Sequence, residues 1–139
     1  MRGKNIYGII YLILYIIIIA YITLLVRSNE LHRIIRLTPF WMDGYWNKNP
    51  IGCIFHSLLN TILFLPLGYY LSALFRVRWV IIITAFATIM TELLQYFTFL
   101  GMLDVNDIVF NIIGGIIGLG VYMAIEKHFT ESRIIVMHR

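Results

Sequence analysis

Charge is what this chain has least of. Asp, Glu, Lys and Arg make up 13% of its 139 residues, about half the ~25% of a soluble domain. That scarcity excludes an ordinary water-soluble globule. Cysteine is nearly absent as well: Cys53 stands alone, so no internal disulfide can form, and it reads as a small apolar side chain. Of the three prolines only Pro66 interrupts a long apolar run. There is no HExxH, no phosphate-cradling loop and no Ser-His-Asp constellation, which removes the familiar hydrolase and nucleotide signatures. Without an internal repeat or a pair of broken helices, a self-sufficient transporter is not expected.

Apolar residues supply 60% of the chain. They form four runs, at residues 6–26, 51–75, 79–100 and 107–125. Each has about the 20 residues needed to cross a bilayer. Only helices and closed barrels satisfy their backbone in lipid. The runs are continuous rather than alternating, which excludes a barrel. The expectation is an all-α protein, a four-transmembrane-helix bundle forming one membrane domain over 1–139. Arg2 and Lys4 ahead of the first run imitate a signal peptide. The run is too long for one, however, and has no Ala-x-Ala-like site before Arg27, so it reads as a retained helix.

A net charge of +4 and a pI near 9.4 raise nucleic acid as a partner. The basic residues instead sit at the ends of the runs, where they set topology and meet anionic headgroups, so no nucleic acid is expected. Seven of them (Arg2, Lys4, Arg76, Arg78, Lys127, Arg133, Arg139) fall on one side of a four-helix path and four (Arg27, Arg33, Arg36, Lys48) on the other. The positive-inside rule then puts both termini in the cytoplasm. The outer loop 27–50 has Leu31, Ile34 and Ile35 at helical spacing, followed by Trp41, Tyr45 and Trp46. This predicts a short helix lying on the membrane surface, or a solvated connection with an aromatic belt.

The few polar residues inside the runs are the candidates for function, because an amide or carboxylate in hydrocarbon is costly. Thr84, Thr88, Glu92 and Gln95 follow one helical stripe. Asp104, Asp107, Asn111, Gly114, Gly115 and Gly118 make a second, and His56 and Asn60 lie one turn apart on the second run. At 1.5 Å per residue Asn60, Glu92 and Asn111 lie about 10–13 Å from the outer ends of their helices. Three helices are therefore expected to bring polar groups to similar depths. Other readings attach to single residues. Asp104 suits an N-cap, with Asp107 three residues on in a capping-box pattern. Gly114, Gly115 and Gly118 suit close helix packing, and Pro66 a kink with Gly68 beside it. Asn60 and Gln95 read equally well as interhelical glue, and Glu92 could pair with Asn60 in the same role. The threonines suit back-bonding to their own helix. His56 and His32 have no ligand partner within a turn, so no metal site is expected and no cofactor is called for.

The segments NTILFLPLGYYL, TELLQYF and DVNDIVFNIIGGIIG, in that order and spacing, resemble the VanZ-like family of small bacterial integral membrane proteins. The core of the resemblance lies within 56–118. The family's typical elements fall on Asn60, Phe64, Pro66, Gly68, Glu92, Gln95, Asp104, Asp107, Asn111, Gly114 and Gly118, with the exit from the first helix at residues 24–27. One departure stands out: many members have an arginine three residues before the first aspartate, and this chain has Gly101 there. Arg27 is a candidate substitute cation. The resemblance implies a multi-pass cell-membrane protein, linked through the family's founding member to lowered susceptibility to teicoplanin-type lipoglycopeptides. It implies no reaction.

Three functions fit these residues. In the first, a polar outer-leaflet pocket formed by Asn60, Glu92, Gln95, Asp104, Asp107 and Asn111 binds a membrane lipid, the acyl chain of a lipoglycopeptide or a cell-wall lipid precursor. In the second, the protein is an intramembrane enzyme with Glu92 and Asp107 as acid and base, or with Asp104 and Asp107 holding a divalent ion against a phosphate. In the third, it is an accessory subunit whose glycine surface packs on a second copy or another membrane protein.

Overall fold

The computed structural model describes residues 2–23, 35–39 and 47–137, with side chains described over 6–23, 35–39 and 47–129. It is a helical bundle. The described elements are α1 (Arg2–Tyr21), β1 (Ile35–Arg36), α2 (Pro50–Ser72), α3 (Val77–Thr98), β2 (Leu103–Asp104) and α4 (Val105–Met137). Among the described residues three helical segments are long and apolar enough to cross a membrane: Pro50–Ser72, Val77–Thr98 and Val105–Phe129. The apolar stretch of α1, Ile6–Tyr21, is shorter. Large apolar side chains such as Ile54, Leu58 and Ile62 on α2 and Phe86 and Phe97 on α3 point outward. A bundle in lipid gains little by hiding them.

Local chemistry sets the helix ends. Asn49 opens α2, its side-chain oxygen accepting the Gly52 N–H at 3.0 Å, with Pro50 in the first turn. Pro is favoured there because its missing N–H would be an orphan anyway. α2 stops at Ser72, three residues before the end of the apolar run, and Ala73 to Phe75 form a tight turn onto Leu71 and Tyr70. α3 ends at Phe99, the one described non-glycine residue with positive φ (60°). The Leu100 N–H reaches back to the Gln95 carbonyl, so a left-handed cap closes the helix at a cost of roughly 1–2 kcal/mol for a side chain with a Cβ. α4 runs twelve residues past the predicted end at 125, to Met137. The apolar run ends there, but EKHFTESRIIVM contains neither proline nor glycine, so nothing breaks the helix.

α2 and α4 lie side by side in the same direction, and glycine permits their approach. A Cβ on Gly68 would overlap the Gly115 carbonyl oxygen, and one on Gly118 the Leu65 carbonyl. Gly114 sits equally tightly on Thr61. α2 continues unbroken through Pro66, which offers no N–H to the Ile62 carbonyl. One residue along, the Tyr15 hydroxyl of α1 donates to the Leu63 carbonyl. Near this level Ile19, Phe64, Leu67, Leu71, Val80 and Leu119 form the apolar core.

The opposite end is closed by a two-residue parallel pairing of β1 with β2, Ile35 against Leu103 and Arg36 against Asp104. This corrects the expected surface helix at Ile35: the chain there is extended. Leu31, His32, Ile34, Trp41, Tyr45 and Trp46, also part of that expectation, lie outside the described residues. The bundle thus has a strand end, capped by β1–β2, and a turn end, closed by Ala73 to Arg76.

Candidate functional site

Between the strand end and Phe64, the interior of the bundle is polar. α2 contributes Ser57 and Asn60, α3 contributes Thr84, Thr88, Glu92 and Gln95, and α4 contributes Asp107 and Asn111, all buried. Asp104 and Asn106 at the β2–α4 junction are buried with them. The spacing explains the convergence. The buried positions of α3 (80, 84, 88, 92, 95) and of α2 (53, 57, 60, 64, 67, 71) each recur every three or four residues, which keeps one stripe inward. The α2 stripe turns apolar at Phe64, whereas the α3 stripe stays polar one turn further, to Thr84, which packs on Gly115.

Hydrogen bonds tie the stripes together. The Asp107 carboxylate accepts from Asn60 Nδ2 at 2.5 Å and faces His56 Nε2, 3.0 Å from one oxygen and 3.4 Å from the other. Glu92, 2% exposed, accepts the Asp104 backbone N–H at 2.9 Å through Oε2. Asn111 donates to Thr88 Oγ1 at 2.8 Å. Gln95 donates to the Thr23 carbonyl at 2.8 Å, bringing the end of α1 into the cluster. Asp104 Oδ1 accepts both the backbone and the side-chain N–H of Asn106, at 2.8 and 2.7 Å. Its Oδ2 lies 3.4 Å from Arg36 Nη1. Burial pushes the Asp104 carboxyl above its ordinary range and the Asp107 charge adds to this, while the Asn106 bonds and Arg36 pull the other way.

Among the described residues, two buried side-chain atoms have no hydrogen-bond partner: Asn111 Oδ1 and Thr84 Oγ1. A buried acceptor left unmade costs about 1–3 kcal/mol. The cluster thus combines two carboxylates within the spans, a third at their mouth and an unused amide oxygen. Chemically it can accept hydrogen bonds, hold a cation or exchange protons.

All six residues expected at the site are buried at this end, but the pairing differs from the expectation. Asn60 gives its amide to Asp107; a pairing with Glu92 was one of the readings open to it. Asn111 serves Thr88. The threonines divide: Thr91 and Thr98 bond back to their own helix as expected, whereas Thr88 accepts from α4. Asp104 does cap α4, through the Asn106 N–H. The sequence reading left His56, Asn106 and Arg36 out of the site. His56 carried a signal, one turn from Asn60, and Asn106 lies inside the motif DVND. Arg36 carried none, because it arrives by strand pairing from a distant loop. It also stands where the absent arginine at Gly101 raised the question of a cation beside Asp104. Arg27 lies outside the described residues. Among those residues no three of His, Cys, Asp and Glu gather as a metal site would require.

Comparison with known proteins gives the same direction. Residues 10–126 match the family model described as VanZ/LLP1. "Protein VanZ" of Enterococcus faecium is 27% identical over 109 residues, covering 76% of this chain. The aligned part spans 63% of that protein's length. No solved structure matches.

Proposed function

We propose a function from one premise: the chain belongs to the VanZ/LLP1 family. It is a multi-pass protein of the bacterial cell membrane, crossing four times with both termini in the cytoplasm, so that the strand end faces outward. There α2, α3 and α4 form a polar site that binds a lipid or lipid-like ligand, and through it the protein lowers susceptibility to teicoplanin-type lipoglycopeptides.

The observation that carries this reading is the burial of Asn60, Glu92, Gln95, Asp107 and Asn111 in one half of the bundle. Packing alone does not call for them: the other half is held by glycine contacts and aliphatic side chains. Ionisable groups inside membrane segments are by default functional. Glu92 is the central acceptor, Asn111 offers an unused carbonyl oxygen, and Asp107 with Asn60 shapes the outer part.

Cells expressing the wild type and Glu92→Gln at matched membrane levels provide the test. Gln keeps the size and removes the ionisable group. Loss of teicoplanin protection in the variant alone supports a working carboxylate. Equal protection assigns Glu92 to structure, and protection by neither protein removes the phenotype.

A second reading, an intramembrane acid/base enzyme acting on a cell-envelope lipid, is favoured by one observation. Asp107 backs an imidazole that reaches the surface, an arrangement that orients a proton-transferring histidine. Turnover of a lipid-linked substrate that is lost in Asp107→Asn would favour it.

A further inference from the structure

At the strand end the buried and exposed charges differ in sign. The carboxylates are inside: the side chains of Asp104 and Asp107 are 10% and 8% exposed. The basic side chains paired with them are further out, Arg36 at 28% and His56 at 51%. Lys48, at the entrance to α2, is exposed as well. Among the described residues, this end therefore shows an approaching ligand the basic side chains Arg36, His56 and Lys48, the first two each held by a buried carboxylate. The two pairs are close, because Asp104 and Asp107 are three residues apart and feel each other's charge. Residues so spaced on a helix have Cβ atoms about 5–6 Å apart.

We propose that Arg36 and His56 form the mouth of the site and bind the phosphate group of its ligand. The inference rests on the ligand-binding reading above and adds the ligand's chemical class: a phosphate ester.

The physical case has three parts. A guanidinium presents five N–H donors in a planar fork, and a protonated imidazole donates from both ring nitrogens. Both are suited to phosphate oxygens, and charge-assisted bonds of this kind are about twice as strong as neutral ones. Asp104 and Asp107 hold the two cations in place before the ligand arrives, so less side-chain freedom is lost on binding. Asp104 is in turn fixed by Asn106 and Asp107 by Asn60. Finally, an uncharged ligand would make no use of the Arg36 guanidinium at the mouth. An ester whose apolar part lies along the outward-facing Ile54 and Leu58 of α2 would put its phosphate at this level. The same chemistry is found on a lipid headgroup and on a soluble phosphate ester.

The test uses the full-length chain purified in mild detergent, with native mass spectrometry reading retained ligand. The probes are phosphatidic acid, diacylglycerol with the same acyl chains and glycerol 3-phosphate. The variants are Arg36→Gln, His56→Gln and the two combined, each checked for unchanged elution and thermal unfolding. We expect the wild type to retain phosphatidic acid about tenfold over diacylglycerol, since one hydrogen bond to a charged group is worth that much. The combined variant should lose this preference while holding diacylglycerol as before. If glycerol 3-phosphate does not compete, the phosphate comes on a lipid; if it competes fully at equal concentration, the ligand is a soluble ester. Equal retention of phosphatidic acid and diacylglycerol by the wild type, with unaltered variants, would overturn the phosphate assignment and leave the lipid site standing. A preference undiminished in the combined variant would overturn the assignment to Arg36 and His56. Retention of no probe at all would overturn the binding site itself.

Discussion

The two halves of the α2–α4 seam are built from opposite materials. Toward the turn end the helices touch backbone to backbone at Gly68, Gly114, Gly115 and Gly118, around Phe64, Leu67 and Leu119. Toward the strand end the same two helices are joined by Asn60, His56 and Asp107. In lipid, apolar side chains gain little from leaving their surroundings, so association depends on close packing and hydrogen bonds. The glycine half meets that need by itself. The polar half adds buried carboxylates, the unused Asn111 Oδ1 and a positive-φ cap nearby. Under the proposed function, the difference teaches that one half accounts for the fold and the other is maintained for a task.

The largest effect should come from the glycine half. Gly118→Leu drives a side chain into the Leu65 backbone carbonyl, which cannot rotate away. We expect a loss of about 3 kcal/mol or more, or no folded protein, read as the detergent denaturant midpoint. Phe64→Ala follows. It is fully buried, and the cavity left behind costs energy in lipid as in water, so about 2–4 kcal/mol is expected from the same unfolding curves. Little change in either would mean that packing does not hold the seam.

Tyr15→Phe removes the hydroxyl that meets the Leu63 carbonyl beside Pro66. A loss of about 1 kcal/mol is expected, without effect on drug protection. The smallest effect belongs to the polar half. A double-mutant cycle of Asn111→Ala with Thr88→Val should give a coupling of about 0.6 kcal/mol, the usual worth of such bonds in membranes. A coupling of several kcal/mol would make the polar half structural and erase the distinction between the halves.

Much of this contrast was legible in the sequence, and the limits have physical causes. The stripe from Thr84 to Gln95 follows from helical periodicity, because α3 is one uninterrupted helix. The Asp104 cap and the glycine approach follow from short spacings within α4. Partner choice across helices did not follow. Asn60 lies near Glu92 and Asp107 in depth, and only the rotation and parallel register of α2 against α4, set by Gly68 on Gly115, aim it at Asp107. Arg36 was the least legible. The helical spacing of Leu31, Ile34 and Ile35 beside it suggested a surface helix, whereas the chain at Ile35 and Arg36 is extended and pairs with Leu103 and Asp104, the latter 68 residues from Arg36. The length of α4 was underestimated because hydropathy marks where a membrane ends, and a helix ends only where its backbone is broken.

The central claim is that the polar half serves function rather than stability. The most direct measurement is unfolding and teicoplanin protection recorded together, in matched preparations of Glu92→Gln and Tyr15→Phe. The account predicts that Glu92→Gln loses protection with its unfolding midpoint unchanged, while Tyr15→Phe unfolds earlier and still protects. If Glu92→Gln protects as well as the wild type, or loses protection only in step with stability, the claim is contradicted.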